Sequence, residues 1–181
     1  MLCVLQLTLV TKSNAQRHGM VFWDDVFEVV RKDFPDVETD KMLVDAMTTR
    51  MVLDPKSLDT IVATNLHADI LSDLAAALSG SMGIAPTANL RPEKDFPSMF
   101  EPIHGSAFDI MGHGIANPIG AFWSASMMLE HLGETAAASR LMTAIERVTA
   151  SGEVMPNDLG GTATTEQVKS AVIVAIRTAN A

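Results

Sequence analysis

Asp69 and Asp73 frame the run Asp69-Ile70-Leu71-Ser72-Asp73. On a helix, side chains four apart project from the same face. Like charges at that spacing repel, and aspartate is a poor helix-interior residue. A hard divalent cation such as Mg²⁺ or Mn²⁺ would relieve that repulsion through carboxylate oxygens and keep positions open for a substrate. Taken alone, the spacing is more often a solvated helix face that tolerates the repulsion. Asp45, at the end of the short apolar run 42–44, offers a third carboxylate or simply a helix cap.

Lys12 directly follows a long apolar run. A lysine at a buried strand end can be desolvated, which suits proton transfer. The commoner case is a lysine that reaches solvent. His104-Gly105-Ser106-Ala107 is the third candidate. Glycine lets a ligand approach the backbone, and a serine with neighbouring N–H groups can hold phosphate or ribose oxygens. An ordinary turn has the same composition, and nothing local decides between the two. His18, His67, His113 and His131 show no metal-ligand spacing. No GxGxxG, GxSxG, CxxC or Walker-type loop occurs in the chain.

The surrounding pattern indicates what must position these residues. Residues 2–10 read as a buried strand. Apolar positions Phe22, Val26, Val29, Val30 and Phe34 recur at helical spacing over 21–34, and Pro35 stops that helix. A helix is expected to follow the short apolar run at 42–44 and to reach Leu53, closed by Asp54-Pro55, with a short strand at 60–63. Thr64-Asn65 then caps a helix through Asp73 to about Leu78. Residues 86–104 read as a long connection with short extended pieces. Three helices follow, over 119–132, 135–149 and 165–178, with the loop PNDLGGT before the last. Strands alternating with helices give an α/β chain, with an internal boundary near Gly80.

The 181 residues are enough for one domain or parts of two, and 48% hydrophobic with 19% charged residues excludes wholesale disorder. A formal charge of −9 argues against nucleic acid and anionic membranes as partners. No apolar stretch is long enough to span a bilayer. The single cysteine, Cys3, excludes a disulfide framework and points to a reducing, cytoplasmic setting; it reads as a small core residue. The opening MLCVLQLTLV lacks the basic start and small-residue cleavage site of a signal peptide.

Two runs, NLHADILSDLAAALSGSMGIAPTAN and FEPIHGSAFDIMGHGIANPIGAFW, in this order, resemble the isopropylmalate/isocitrate dehydrogenase family. TKSN at Thr11, FWDDVFE at Phe22, ANLRPEKDFPSMFEP and DLGGTATT at Asp158 look most like its tartrate/D-malate branch. The resemblance implies the two-domain isopropylmalate-dehydrogenase-like fold, represented by its C-terminal half. Residues 1–80 would be part of the dimerisation and substrate domain, and 81–181 the returning part of the nucleotide-binding domain. It implies NAD- and Mg²⁺- or Mn²⁺-dependent oxidative decarboxylation of a 2-hydroxy acid such as D-malate or tartrate. The alternatives are 3-isopropylmalate as substrate, or a non-catalytic fragment that acts as an interaction partner.

By position, Asp45, Asp69 and Asp73 match the family's metal ligands. Lys12 matches the lysine that assists deprotonation of the substrate hydroxyl. His104, Gly105, Ser106 and Ala107 match the adenosine loop, and Asn117 the adenine-contacting asparagine. Asp109 matches the acidic residue on the adenosine ribose; it and Ile110 favour NAD over NADP, since a carboxylate there repels a 2′-phosphate. The resemblance also implies a homodimer with a shared active site, Lys12 and Asp45 from one subunit meeting Asp69 and Asp73 from the other. The family's substrate-gripping arginines and its proton-donating tyrosine belong to the other half, and this chain has no tyrosine. Little or no activity is therefore expected of the chain alone.

Overall fold

A computed structural model describes residues 6–178. Cys3 and the first residues of the expected opening strand lie outside the described residues. The chain forms two compact units, Met1–Leu78 and Ser79–Ala181.

The first unit is a parallel α/β arrangement. β1 (Gln6–Thr11), β2 (Glu38–Leu43) and β3 (Thr60–Val62) form a sheet in the order β2-β1-β3. Both pairings are parallel, and Leu9 stands opposite Lys41 on one side and Val62 on the other. β1 is buried from Thr8 to Thr11, as a central parallel strand should be. Its apolar run marks it plainly. β2 is not legible in the sequence: it begins at Glu38, four residues before the apolar run at 42–44, and its first four residues are all polar.

α1 (Gly19–Val30) connects β1 to β2, α2 (Val44–Leu53) connects β2 to β3, and α3 (Asn65–Leu78) follows β3. The α-helical part of α1 ends earlier than the apolar spacing suggests. Residues Arg31–Asp33 tighten into a 3₁₀ turn, and Phe34 leaves helical geometry at φ −128°, ψ 64°. Pro35 causes this, since its ring excludes the helical conformation for the residue before it. α1 buries Met20 and Asp24, while Phe22, Val29 and Phe34 are exposed. Three strands cover only one side of this helix, so much of its apolar stripe is left outward. Val10, Met47, Met51 and Leu71 form the buried core, with Ile61 and Leu74 packed against them.

The second unit begins with an antiparallel pair, β4 (Pro86–Asn89) and β5 (Met99–Pro102), with Ala88 opposite Phe100. The stretch read as a long connection is thus a hairpin. α4 (Ile119–His131), α5 (Thr135–Ser151) and α6 (Thr165–Thr178) follow. Their starts agree with the periodicity. α5 runs two residues further than expected and ends at Gly152, whose φ of 68° is the left-handed turn that closes a helix. Ile119, Ala144, Ile145, Val148, Val168 and Val172 make the core.

Candidate functional site

In the first unit, Lys12 stands one residue beyond β1, where its strand leaves the core. Its backbone carbonyl accepts N–H groups from both Ala15 and Gln16 at 2.9 Å, so the chain turns sharply there. The Lys12 Nζ donates to the Asp45 carboxylate. Asp45 sits in the first turn of α2, where the helix dipole favours a negative charge. The Lys12 hydrogen bond is the largest influence on Asp45 and holds its carboxyl below the ordinary aspartate value. Its backbone carbonyl accepts the Thr48 and Thr49 hydroxyls at 2.7 and 3.1 Å, which fixes this first turn.

Asp69 and Asp73 lie one turn apart on α3, Asp69 exposed and Asp73 half-buried. The Ser72 hydroxyl donates to the Asp69 carbonyl at 3.0 Å. Among the described residues, no three His, Cys, Asp or Glu side chains converge on one point. The single chain thus brings Lys12 to Asp45 and Asp69 to Asp73, and does not bring the two pairs together. All-oxygen donors suit a hard cation such as Mg²⁺ or Mn²⁺ in type. One chain alone does not give them a common centre.

In the second unit a cleft of about 780 Å³ gathers His104, Gly105, Ser106, Ala107, Ile110 and Asn117. Asp109 is exposed, and its side chain is not part of the cleft wall. The loop is held by a turn in which the Ile110 N–H donates to the Ala107 carbonyl at 3.0 Å. Ala107 has φ 42°, a left-handed conformation that costs a non-glycine residue about 1–2 kcal/mol. Strain of this kind gathers where a loop is shaped for a ligand. A side chain added at Gly105 would meet nothing within 4 Å, so its backbone is open to an incoming group.

Asn117 is fixed at both ends of its amide. Its Oδ1 accepts the Ile119 N–H at 2.9 Å, and its Nδ2 donates to Asp158 Oδ2 at 2.9 Å. The Ser81 hydroxyl also donates to Asp158, and in turn accepts the Gly83 N–H at 2.9 Å. A Cβ on Gly83 would stand 2.4 Å from Asp158 Oδ2. Asp158 and Ser81 both line the cleft, and sequence reasoning passed over them. The one available signal was the PNDLGGT loop, where two glycines follow an acid. Gly161 is tightly enclosed, since a Cβ there would lie 1.9 Å from the Met155 carbonyl oxygen. Volume, exposed glycine backbone, a free hydroxyl on Ser106 and a fixed amide together suit the adenosine part of a dinucleotide.

A family model described as isocitrate/isopropylmalate dehydrogenase matches residues 4–172. A probable tartrate dehydrogenase/decarboxylase of Agrobacterium vitis is 70% identical over 174 residues, covering 96% of this chain and 48% of its own length. The D-malate dehydrogenase (decarboxylating) of Escherichia coli is 46% identical over 171 residues, covering 92% of this chain and 47% of its own length. The solved structure of isocitrate dehydrogenase from Methylococcus capsulatus superposes with a TM-score of 0.89 at 38% identity, over 95% of this chain and 50% of that one. The chain spans about half the length of the curated relatives it matches. With this agreement of sequence and fold, the chain belongs to the isocitrate/isopropylmalate dehydrogenase family.

Proposed function

We propose that this chain carries the adenosine cleft, the proton-handling lysine and the cation-binding carboxylates of an NAD-dependent enzyme that oxidatively decarboxylates a 2-hydroxy acid such as D-malate or tartrate. The observation that carries this reading is the cleft. Six residues picked from the sequence as adenosine contacts line one cavity, in a chain whose relatives are named for tartrate and D-malate. Those names favour D-malate or tartrate over 3-isopropylmalate. A cytoplasmic location belongs to the same reading; no helix among the described residues is long and apolar enough to cross a membrane.

In this reading the adenosine lies against the loop from His104 to Ala107, with Asn117 presented in one orientation. Asp109 stands outside the cleft wall, where its charge disfavours a 2′-phosphate and so NADP. Lys12, hydrogen-bonded to Asp45, is the group that assists deprotonation of the substrate hydroxyl. A bound Mg²⁺ or Mn²⁺ supplies electrostatic stabilisation of the negative charge that builds on the substrate oxygen. Asp45 of one copy and Asp69 with Asp73 of a second copy would hold it in a homodimer. The substrate's carboxylates and the final protonation are left to the other half of the fold, and the chain alone turns over little or nothing.

The test is NADH production from D-malate, tartrate and 3-isopropylmalate with NAD and Mn²⁺. It is run with this chain alone and with a polypeptide matching the first half of the Agrobacterium vitis relative. Activity on D-malate or tartrate in the mixture is expected. Silence on all three acids in a mixture that assembles would overturn the assignment, and robust turnover by the chain alone would overturn its inactivity.

A further inference from the structure

Chain segments around Ser81, Asn117 and Asp158 meet in the wall of the second unit's cleft. The Asp158 Oδ2 accepts both the Ser81 hydroxyl and the Asn117 Nδ2–H, the second at 2.9 Å. Among the described residues, nothing donates to its Oδ1. Asn117 is locked in one orientation, because its Oδ1 accepts the Ile119 N–H at 2.9 Å. Its Nδ2 is therefore the donor, and with one N–H given to Asp158 a second remains. Since that nitrogen lies against the Asp158 carboxylate, the cleft wall sets a donor beside an acceptor.

A carboxylate repels the phosphates of a dinucleotide, so an acid in this wall fits the end of the ligand that carries no charge. Its bond to Asn117 puts it at the base. Adenine sets an exocyclic amine, which donates, beside a ring nitrogen that accepts. Hypoxanthine and guanine carry a carbonyl oxygen in place of that amine. A donor beside an acceptor matches adenine, whereas the other two would turn the carbonyl toward a carboxylate with no proton between them. We propose that Asp158 is a specificity-determining residue: its Oδ1 accepts the exocyclic amine of adenine, while its Oδ2 holds Asn117 as donor to the adjacent ring nitrogen. This selection deepens the adenosine reading of the cleft and rests on it.

The test compares adenosine diphosphate (ADP) with inosine diphosphate (IDP), which differ only in the purine, amine against carbonyl. Both are titrated calorimetrically into the 181-residue chain, with no turnover involved. Wild type is expected to bind ADP about tenfold tighter or more, as fits the loss of one hydrogen bond to a charged acceptor. Asp158→Asn keeps an amide oxygen for Ser81 and Asn117 and presents an amide nitrogen where Oδ1 stood. It should abolish the preference for ADP or reverse it, since that nitrogen donates to the hypoxanthine carbonyl. Equal binding of the two nucleotides by wild type overturns the selection and leaves the cleft reading standing. A wild-type ratio kept by Asp158→Asn overturns it too, because a residue that only shapes the cleft changes both affinities together. Binding of neither nucleotide by wild type overturns the cleft reading, and the selection with it. Should Asp158→Asn fail to fold, the ¹³C resonance of the wild-type Asp158 carboxyl decides. A larger shift with ADP than with IDP at equal occupancy supports the selection, and an equal shift overturns it.

Discussion

Gly83→Ala tests the network that fixes Asn117. The new Cβ would stand 2.4 Å from Asp158 Oδ2, 3.0 Å from Asn117 Cβ and 3.2 Å from Asn117 Nδ2. Asp158 is an exposed side chain and can swing away, but only by releasing the Ser81 and Asn117 hydrogen bonds together. Bonds to a charged acceptor contribute about 1.5–3 kcal/mol each when well shielded, and less at an exposed carboxylate. A loss of about 2 kcal/mol for the pair is therefore expected, or about thirty-fold in the folded-to-unfolded ratio of this unit. The assay is urea unfolding followed by Trp123 fluorescence in a Trp23→Phe background, which leaves one tryptophan. The decisive comparison is a cycle with Asp158→Ala. If the Cβ acts through Asp158, the double variant is little worse than Asp158→Ala alone. Strict additivity, or a Gly83→Ala midpoint equal to wild type, would refute the reasoning.

Further outcomes follow from other parts of the structure. On the proposed reading of a homodimer with a shared cation site, an equal mixture of Asp45→Ala and Asp73→Ala chains should regain Mn²⁺-induced thermal stabilisation that neither shows alone, because a mixed dimer would hold one intact site; no regain would exclude sharing. Lys12→Met should raise the Asp45 pKa toward the ordinary aspartate value, seen by carboxyl NMR. Since the folded pKa is depressed, the stability from this carboxylate is present above its unfolded value and lost as pH falls through its lowered folded value, so wild type loses that increment and Lys12→Met does not. Ile145→Ala, at a position 3% exposed in the helical core, should cost about 3 kcal/mol in urea unfolding. Gly161→Ala should cost more than about 3 kcal/mol, because the Met155 backbone it would strike cannot retreat as a side chain can; a folded variant with an unchanged midpoint would contradict the enclosed loop.

The parts of the fold that showed in the sequence are those whose own burial writes a pattern. β1 declares itself by a Leu- and Val-rich run interrupted only by Gln6 and Thr8, and α4, α5 and α6 by helical spacing between turn residues. β2 was hidden because its first four residues, Glu38 to Lys41, are all polar and show no apolar alternation. Between β4 and β5 only short extended pieces were legible, and their pairing was hidden because four-residue strands are too short to show a period. For the cleft, the loop from His104 to Ala107 was visible by its glycine and serine, and Asn117 by resemblance. Asp158 was not, since its partners Ser81 and Asn117 are distant in sequence and only the packed loops bring them together. Asp24 was not singled out, since it stands beside the outward Asp25 and near the outward Glu28, and only the fold brings Lys41 to it.

The order of the first sheet has a consequence for how the polypeptide reaches its native state. The middle strand comes first in the chain, and its Leu9 must wait for Lys41 and then Val62 before both sides are paired. Pairings so distant along the chain close slowly, since the loop entropy is lost before any contact rewards it. In the second unit α4 packs on α5 and α5 on α6, each on its immediate successor. Of the two units, the one earlier along the chain is thus the slower to close, and β1 stays open on both edges until its partners fold back onto it. Until β2 and β3 pair with it, its open edges can also take up a strand of another copy, so growth temperature and expression rate should bear on the soluble yield of this chain as much as its final stability does.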